Sequence, residues 1–334
     1  MTSPPTPDAD RDTLTTDEGS RASVAPSGRR RRPSRYEFSS VRMTFRSGGE
    51  RCVGRLYRPD RPAEPPLVVL SGGLLGAPSS GLDQYAERLA AAGYAVFRFD
   101  VRHTGDSDGD PRNLLSPARQ RADWEAAIAG LRGRGDVATE RLVLWGTDLA
   151  GGTVLDVAAD DPRIRAVVSQ TPILSGRAFL RARGLASFAR GVFAGVRDLV
   201  QSPLLGVHDV AVASSSRDDD RGPALVSSPN ASRTYREFVP DDADWTNRTP
   251  GRSLLALARH TAGEDRDRIS CPTLFVGGTR DDVVALEGIE AAADSIPDAT
   301  LLRLPVDHFD LYAGDGVEQA VGHGLAFLDT AVEP

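Results

Sequence analysis

The run Gly146-Thr147-Asp148-Leu149-Ala150-Gly151-Gly152 sets an acidic side chain at the centre of a turn built from small residues. Before it, Arg141-Leu142-Val143-Leu144-Trp145 reads as a buried strand; after it, Thr153 to Asp160 reads as a helix. In a Gly-x-Ser-x-Gly turn with that strand–turn–helix setting, the central side chain is a nucleophile raised on a sharp bend. Small neighbours let the backbone pass closely. Here the central residue is Asp148. A carboxylate attacking an ester or amide would form a high-energy anhydride. Displacement at a saturated carbon suits it better, because attack on an epoxide or alkyl halide gives an alkyl-enzyme ester that water can hydrolyse.

Such a nucleophile needs an acid and then a histidine, each on a loop after its own strand, in that chain order. Gly277-Gly278-Thr279-Arg280-Asp281-Asp282-Val283-Val284 supplies Asp281 or Asp282, and Pro305-Val306-Asp307-His308-Phe309 supplies His308. Asp281, three residues beyond Gly278, is the preferred acid. His103, His208, His260 and His323 fall in loops or helices and read as structural. An oxyanion site needs two backbone N–H groups. Leu149, directly after Asp148, offers one, and Leu74 in the loop Ser71-Gly72-Gly73-Leu74-Leu75-Gly76 offers the other. Opening an epoxide also needs a proton donor, for which Tyr235 is the candidate, with Trp245 as a wall residue.

These loops require a frame. Val41 to Phe45 and Cys52 to Tyr57 alternate as an antiparallel hairpin does. Leu67 to Leu70, Tyr94 to Phe99, Ile164 to Val168, Thr273 to Val276 and Thr300 to Leu304 are short apolar runs, separated by helical patterns at Leu82 to Ala92 and Pro117 to Arg132. Strands alternating with helices at this spacing predict an α/β fold, a mostly parallel central sheet with helices on both faces. The alternation breaks between Pro172 and Ser253, where Arg177 to Val200 reads as one long helix with Phe179, Leu180, Leu185, Phe188, Val192 and Phe193 as apolar contacts. The resulting division is a disordered tail over 1–35, core over 36–172, an inserted cap over 173–253 and core again over 254–334.

Composition bounds the rest. The 334 residues are 40% hydrophobic, with a net charge of −7 that argues against nucleic-acid binding through the folded part. Cys52 and Cys271 are too few for a disulfide framework, and no apolar run is long enough to cross a membrane. Residues 1–35 are rich in Pro, Ser, Thr, Asp and Arg, and Met1 to Ala25 lacks the pattern of a secretory signal; the run Arg29-Arg30-Arg31-Arg32 reads as a solvated tail. The expectation is a soluble cytoplasmic protein of unassigned oligomeric state, needing no cofactor or metal. The apolar stretches from Phe179 and over Val207–Ala213 suggest a small hydrophobic substrate.

Over residues 36–331 the chain resembles the α/β-hydrolase superfamily, and within it the peptidase-S15-like esterases and polyketide-processing hydrolases of bacteria and fungi. The residues behind the resemblance are Phe99-Asp100-Val101-Arg102-His103-Thr104-Gly105-Asp106-Ser107-Asp108-Gly109, Pro111-Arg112, Gln120 with Asp123, and Trp145-Gly146. Asp160-Pro162-Arg163-Ile164, Ser169-Gln170-Thr171-Pro172, Trp245-Thr246-Asn247-Arg248 and Arg252-Ser253 extend it. That branch has serine where this chain has Asp148; similar epoxide hydrolases and haloalkane dehalogenases use an Asp–His–Asp set. Dehalogenases follow the nucleophile with Trp, whereas Leu149 stands here, and epoxide hydrolases carry His-Gly-x-Pro where this chain has Gly72-Gly73-Leu74-Leu75. Four readings follow: a hydrolase working through an ester on Asp148, with epoxide ahead of halide; a cofactor-free lyase, cyclase or isomerase using Asp148 and His308 as acid and base; an esterase or thioesterase using activated water; and a non-catalytic binding protein.

Overall fold

The computed structural model describes residues 15–16, 36–61, 63–73, 81–214, 223–228 and 246–332. In chain order the main elements are β1 (Thr15–Thr16), β2 (Phe38–Ser47), β3 (Glu50–Pro59), β4 (Pro66–Gly72), α1 (Asp83–Ala91), β5 (Ala95–Asp100), α2 (Pro117–Leu131), β6 (Ala138–Thr147), α3 (Leu149–Asp160) and β7 (Ile164–Gln170). There follow α4 (Gly176–Arg181), α5 (Leu185–Leu205), β8 (Asp209–Ser214), β9 (Ala224–Ser227), β10 (Thr249–Pro250), α6 (Arg252–Ala258), β11 (Thr273–Gly278), α7 (Leu286–Ala293), β12 (Ala299–Leu304) and α8 (Asp315–Ala331).

The hairpin of β2 and β3 turns at Gly48-Gly49, whose φ values of +57° and +87° are the left-handed pair that a two-residue turn requires. From there the sheet runs β1-β2-β3-β5-β4-β6-β7-β11-β12, antiparallel as far as β5 and parallel from β5 to β12. The two tail residues that are described, Thr15 and Thr16, extend it by pairing with Thr44 and Met43. The parallel strands are apolar throughout because both faces are covered. Their period of two splits the core: Leu67, Val69, Phe97 and Leu144 join Trp124 of α2 and Leu149 of α3 on one face. Val68, Leu70, Val96 and Trp145 join Tyr85 of α1 and Leu328 of α8 on the other. This is the α/β-hydrolase sheet that the pattern predicts, with the carboxyl ends of β4, β6, β7, β11 and β12 along one edge.

Between β7 and β11 the order changes. Here β10, β8 and β9 form a separate three-stranded sheet, and α6 begins inside the 173–253 segment but ends beyond it. The single helix expected over Arg177–Val200 is two: α4 ends after Arg181, and Gly184, at φ +95°, breaks the chain before α5. Two of its expected apolar contacts are corrected as well. Phe179 and Leu180 are buried, but Leu185 and Phe193 are 73% and 70% exposed, because α5 turns inward a face of small residues. The contact it makes there is held by Asp198, whose carboxylate accepts from Arg252 Nε at 2.5 Å and from His208 N at 2.8 Å.

Helix α2 ties the loops after β4 and β5 to the core. Its fully buried Asp123 accepts from Arg102 N at 2.9 Å and Arg102 Nε at 2.7 Å, pinning the loop after β5. Removing one member of a buried pair leaves the other charge uncompensated. Asp123→Ala is therefore expected to lose about 3–5 kcal/mol of stability, read as a lowered urea midpoint with an unchanged slope.

Candidate active site

Asp148 occupies the bend between β6 and α3 at φ +56°, ψ −118°. For a side chain larger than glycine this conformation costs on the order of 1–3 kcal/mol, so the neighbours must hold it. Asp148 N donates to Gln170 O and Ile173 N donates to Asp148 O, both at 3.0 Å, which clamps the bend against the end of β7. Gly146 is needed for a steric reason: a Cβ there would fall inside the Ala150 carbonyl. The bend lifts the carboxylate out of the sheet edge yet leaves Asp148 only 2% exposed.

Two loops converge on it. His308, fully buried, lies with Nδ1 2.8 Å from Asp281 Oδ2 and Nε2 3.2 Å from Asp148 Oδ1. The second approach is ion-pair distance without the alignment of a formed hydrogen bond. Asp281 is held in turn by Val283 N and Val284 N, each donating to Oδ1 at 2.8 Å, while Asp282 beside it is exposed. The residues expected from the sequence as nucleophile, acid and histidine are thus adjacent, and it is Asp281 that faces the imidazole.

Two further side chains reach Asp148 that the sequence reading did not single out for the site. Tyr312 donates its phenol O–H to Oδ2 at 2.7 Å, and Thr171 donates its hydroxyl to Oδ1 at 3.3 Å. Tyr312 follows the short 3₁₀ turn Phe309–Leu311, four residues past His308, a spacing that brings two side chains to one side of a helical turn. Tyr85 steadies this turn, donating to Leu311 O at 2.6 Å and accepting from Gln170 Nε2 at 3.2 Å.

Burial alone would push the His308 imidazole down, but the carboxylates of Asp281 and Asp148 outweigh it and hold its pKa well above the usual histidine range. Both neighbouring carboxyl groups thus favour the protonated imidazole. Burial, and then the Asp148 charge, hold Tyr312 well above the usual tyrosine range, so it stays an O–H donor. Two other histidines differ: burial, with Arg119 and Arg102 adding to it at His103, pushes His103 and the half-buried His260 down to about 4.

The N–H of Leu149 opens α3 directly after Asp148, at the positive end of the helix. The loop after β4 is held against it at Gly73, which accepts from Gln120 Nε2 at 2.8 Å; an added Cβ there would lie 2.7 Å from Ala150 N. Leu74, Tyr235 and Trp245 lie outside the described residues. On the cap side, Phe179, Arg183, Val226, Asp282 and Val283 line a small cavity beside the Asp281 loop. Among the described residues, no group of three His, Cys, Asp or Glu side chains is placed to hold a metal, and no helix is long and apolar enough to cross a membrane.

Sheet order, elbow and converging loops define an α/β-hydrolase-fold protein. The chain belongs to the S15 family: the model described as X-Pro dipeptidyl-peptidase (S15 family) matches residues 40–309. The quorum-quenching protein AidA of Acinetobacter baumannii is 33% identical over 290 residues, covering 87% of this chain and 94% of AidA. The thiohydrolase aneE of Aspergillus aculeatus is 31% identical over 141 residues, 42% of each chain. Among solved structures, that of DcsB in complex with its substrate analogue superposes with a TM-score of 0.74 at 21% identity, covering 89% of this chain and all of DcsB. The family and its relatives make the chain a member of a hydrolase family.

The charge arrangement has a measurable consequence. In nitrogen-detected NMR, His308 should titrate above the ordinary value of about 6.5, and Asp148→Asn, by removing one flanking charge, should bring that midpoint down. Because the folded value is raised, this proton stabilises the fold fully below the unfolded value, and the contribution fades as pH rises through the raised midpoint. A His308 midpoint at or below the ordinary value would contradict the imidazolium assignment.

Proposed function

We propose that this chain hydrolyses small hydrophobic epoxides through an alkyl ester on Asp148, with Asp281 and His308 completing the set. The observation that carries this reading is a carboxylate at the elbow, 3.2 Å from His308 Nε2, with Asp281 2.8 Å behind the imidazole. In the first step an Asp148 oxygen bonds to a ring carbon and the ring C–O bond breaks. Tyr312, which donates to Asp148 in the resting site, supplies the proton to the opened oxygen and is reprotonated by the imidazolium of His308. Tyr312 here takes the role that the sequence reading gave to Tyr235.

Forming the ester changes the site's electrostatics. Asp148 is no longer charged, so one of the two carboxylates that held the His308 proton is lost, and the imidazole is left neutral. It can then take a proton from water as the hydroxide adds to the ester carbonyl, with the Leu149 N–H, and by expectation that of Leu74, facing the oxyanion. Collapse releases the diol, which carries the second water proton, and restores the Asp148 carboxylate and the imidazolium. One histidine thus serves as acid and then as base because its partner's charge disappears between the steps.

A second reading, a cofactor-free lyase, cyclase or isomerase, is favoured by the Tyr312–Asp148 contact of 2.7 Å, since that pair can move a proton without a covalent step. Intact-protein and peptide mass spectrometry on His308→Gln separates the two. The variant is incubated with epoxides, alkyl halides, thioesters and quorum-sensing signals, the last two because of the thiohydrolase and quorum-quenching relatives. An epoxide adduct on the peptide carrying Asp148 is the expected result. Turnover by the wild-type chain with no adduct on the variant would move the assignment to acid–base chemistry. Tyr312→Phe should slow formation of the ester by about 10–100-fold, measured in single turnover, and leave hydrolysis of a preformed ester within about 3-fold of wild type.

A further inference from the structure

All the large hydrophobic side chains exposed among the described residues belong to one place, α5 and the residues just after it. Their arrangement is ordered. Ala186, Ala189, Phe193, Val196, Val200 and Pro203 are all exposed and follow one another at alternating intervals of three and four residues. An alternating three–four repeat is the seam a helix presents to another helix running nearly parallel to its axis. The opposite side of α5 is already used. Gly191, Ala194, Gly195 and Asp198 are buried against α6, and a Cβ on Gly195 would meet Leu255 Cγ at 2.5 Å. The seam therefore faces away from its own domain and has no partner among the described residues.

The charges beside the seam say what kind of helix fits. Arg190 and Arg197 lie along one flank; Val192 and Leu199 lie along the other. The helix carries one acid, Asp198, which is buried on the inner side with Arg252. In an antiparallel pair of such helices like flanks meet, which would set Arg190 of one copy against Arg197 of the other. In a parallel pair opposite flanks meet, so that Val192 of one copy lies along the alkyl stem of Arg197 of the second and no like charges are opposed. A helix lying on a lipid surface presents a cationic polar face to water opposite its apolar one; in α5 the side opposite the seam is buried against α6 instead. We propose that α5 pairs with α5 of a second copy of this chain, side by side and parallel, about a two-fold axis running along the helix.

The full-length chain tests this directly. Sedimentation velocity over a range of concentrations should show a dimer. Val196→Glu combined with Val200→Glu should raise the dissociation constant at least about 100-fold, and, since both positions are exposed, leave the thermal midpoint of the circular dichroism signal in place. Orientation is read by disulfide trapping, with the native Cys52 and Cys271 both buried. Ala189→Cys alone should cross-link to itself under mild oxidation. A monomer at all concentrations, or a dimer indifferent to the double substitution, would overturn the proposal. So would a cross-link that forms only when Ala189→Cys is mixed with Val200→Cys, the signature of the antiparallel pair. A monomer that co-sediments with phosphatidylserine vesicles, and loses that with the two glutamates, would reassign the seam to a membrane.

Discussion

An imidazole wholly out of water between two carboxylates is the constraint on which the rest of this site depends. With His308 protonated, the set of Asp148, His308 and Asp281 carries one net negative charge in the interior. A buried charge is tolerated only where fixed donors replace the water it has lost. The donors here arrive from four different places in the fold. Val283 and Val284 N–H come from the loop after β11, Thr171 from the end of β7, Tyr312 from the turn after His308, and the positive end of α3 lies directly behind Asp148. The site is therefore not three residues but a charge with its solvation shell built from four strand ends. The strained backbone of Asp148 is affordable because the same shell holds it.

The surrounding frame is tied to that shell by hydrogen bonds. The bend at Asp148 is clamped by Gln170 and Ile173, the loop after β4 is anchored through Gln120 on α2, and the turn carrying Tyr312 is steadied by Tyr85 on α1. Helices from both faces of the sheet thus reach the same edge. The segment between β7 and β11 has its own three-stranded sheet and a break at Gly184 between α4 and α5.

Much of this was legible in the residue pattern. Alternation in Val41 to Phe45 and the unbroken apolar runs at Leu67 and Leu142 mark a half-covered and a fully covered strand, because side chains alternate between faces with a period of two. Cys52 to Tyr57, expected to be half-exposed, is instead covered on both faces, with Val53 and Tyr57 buried as well as Cys52 and Leu56. The acid at the elbow and the later Asp281 and His308 could be read from their positions after strands. Tyr312 offered only a weak local sign, its place one turn past His308, and Thr171 offered none. The long helix over Arg177–Val200 was misread because helical periodicity runs on across Gly184, and nothing local weighs one left-handed glycine against it.

Local order, then, belongs to the sequence: strand faces, turn glycines, the chain order of Asp148, Asp281 and His308, and the apolar seam of α5. These follow from bond geometry and from periods of two and 3.6 residues, which any stretch of chain carries within itself. Only the folded chain decided what meets what. Tyr312 reaches Asp148 across 164 residues, and α5 turns its glycines inward and its large side chains outward, against what apolar character alone suggests. Periodicity states which residues share a face. Which face is covered depends on the shape of the neighbour, and no short segment of sequence contains its neighbour.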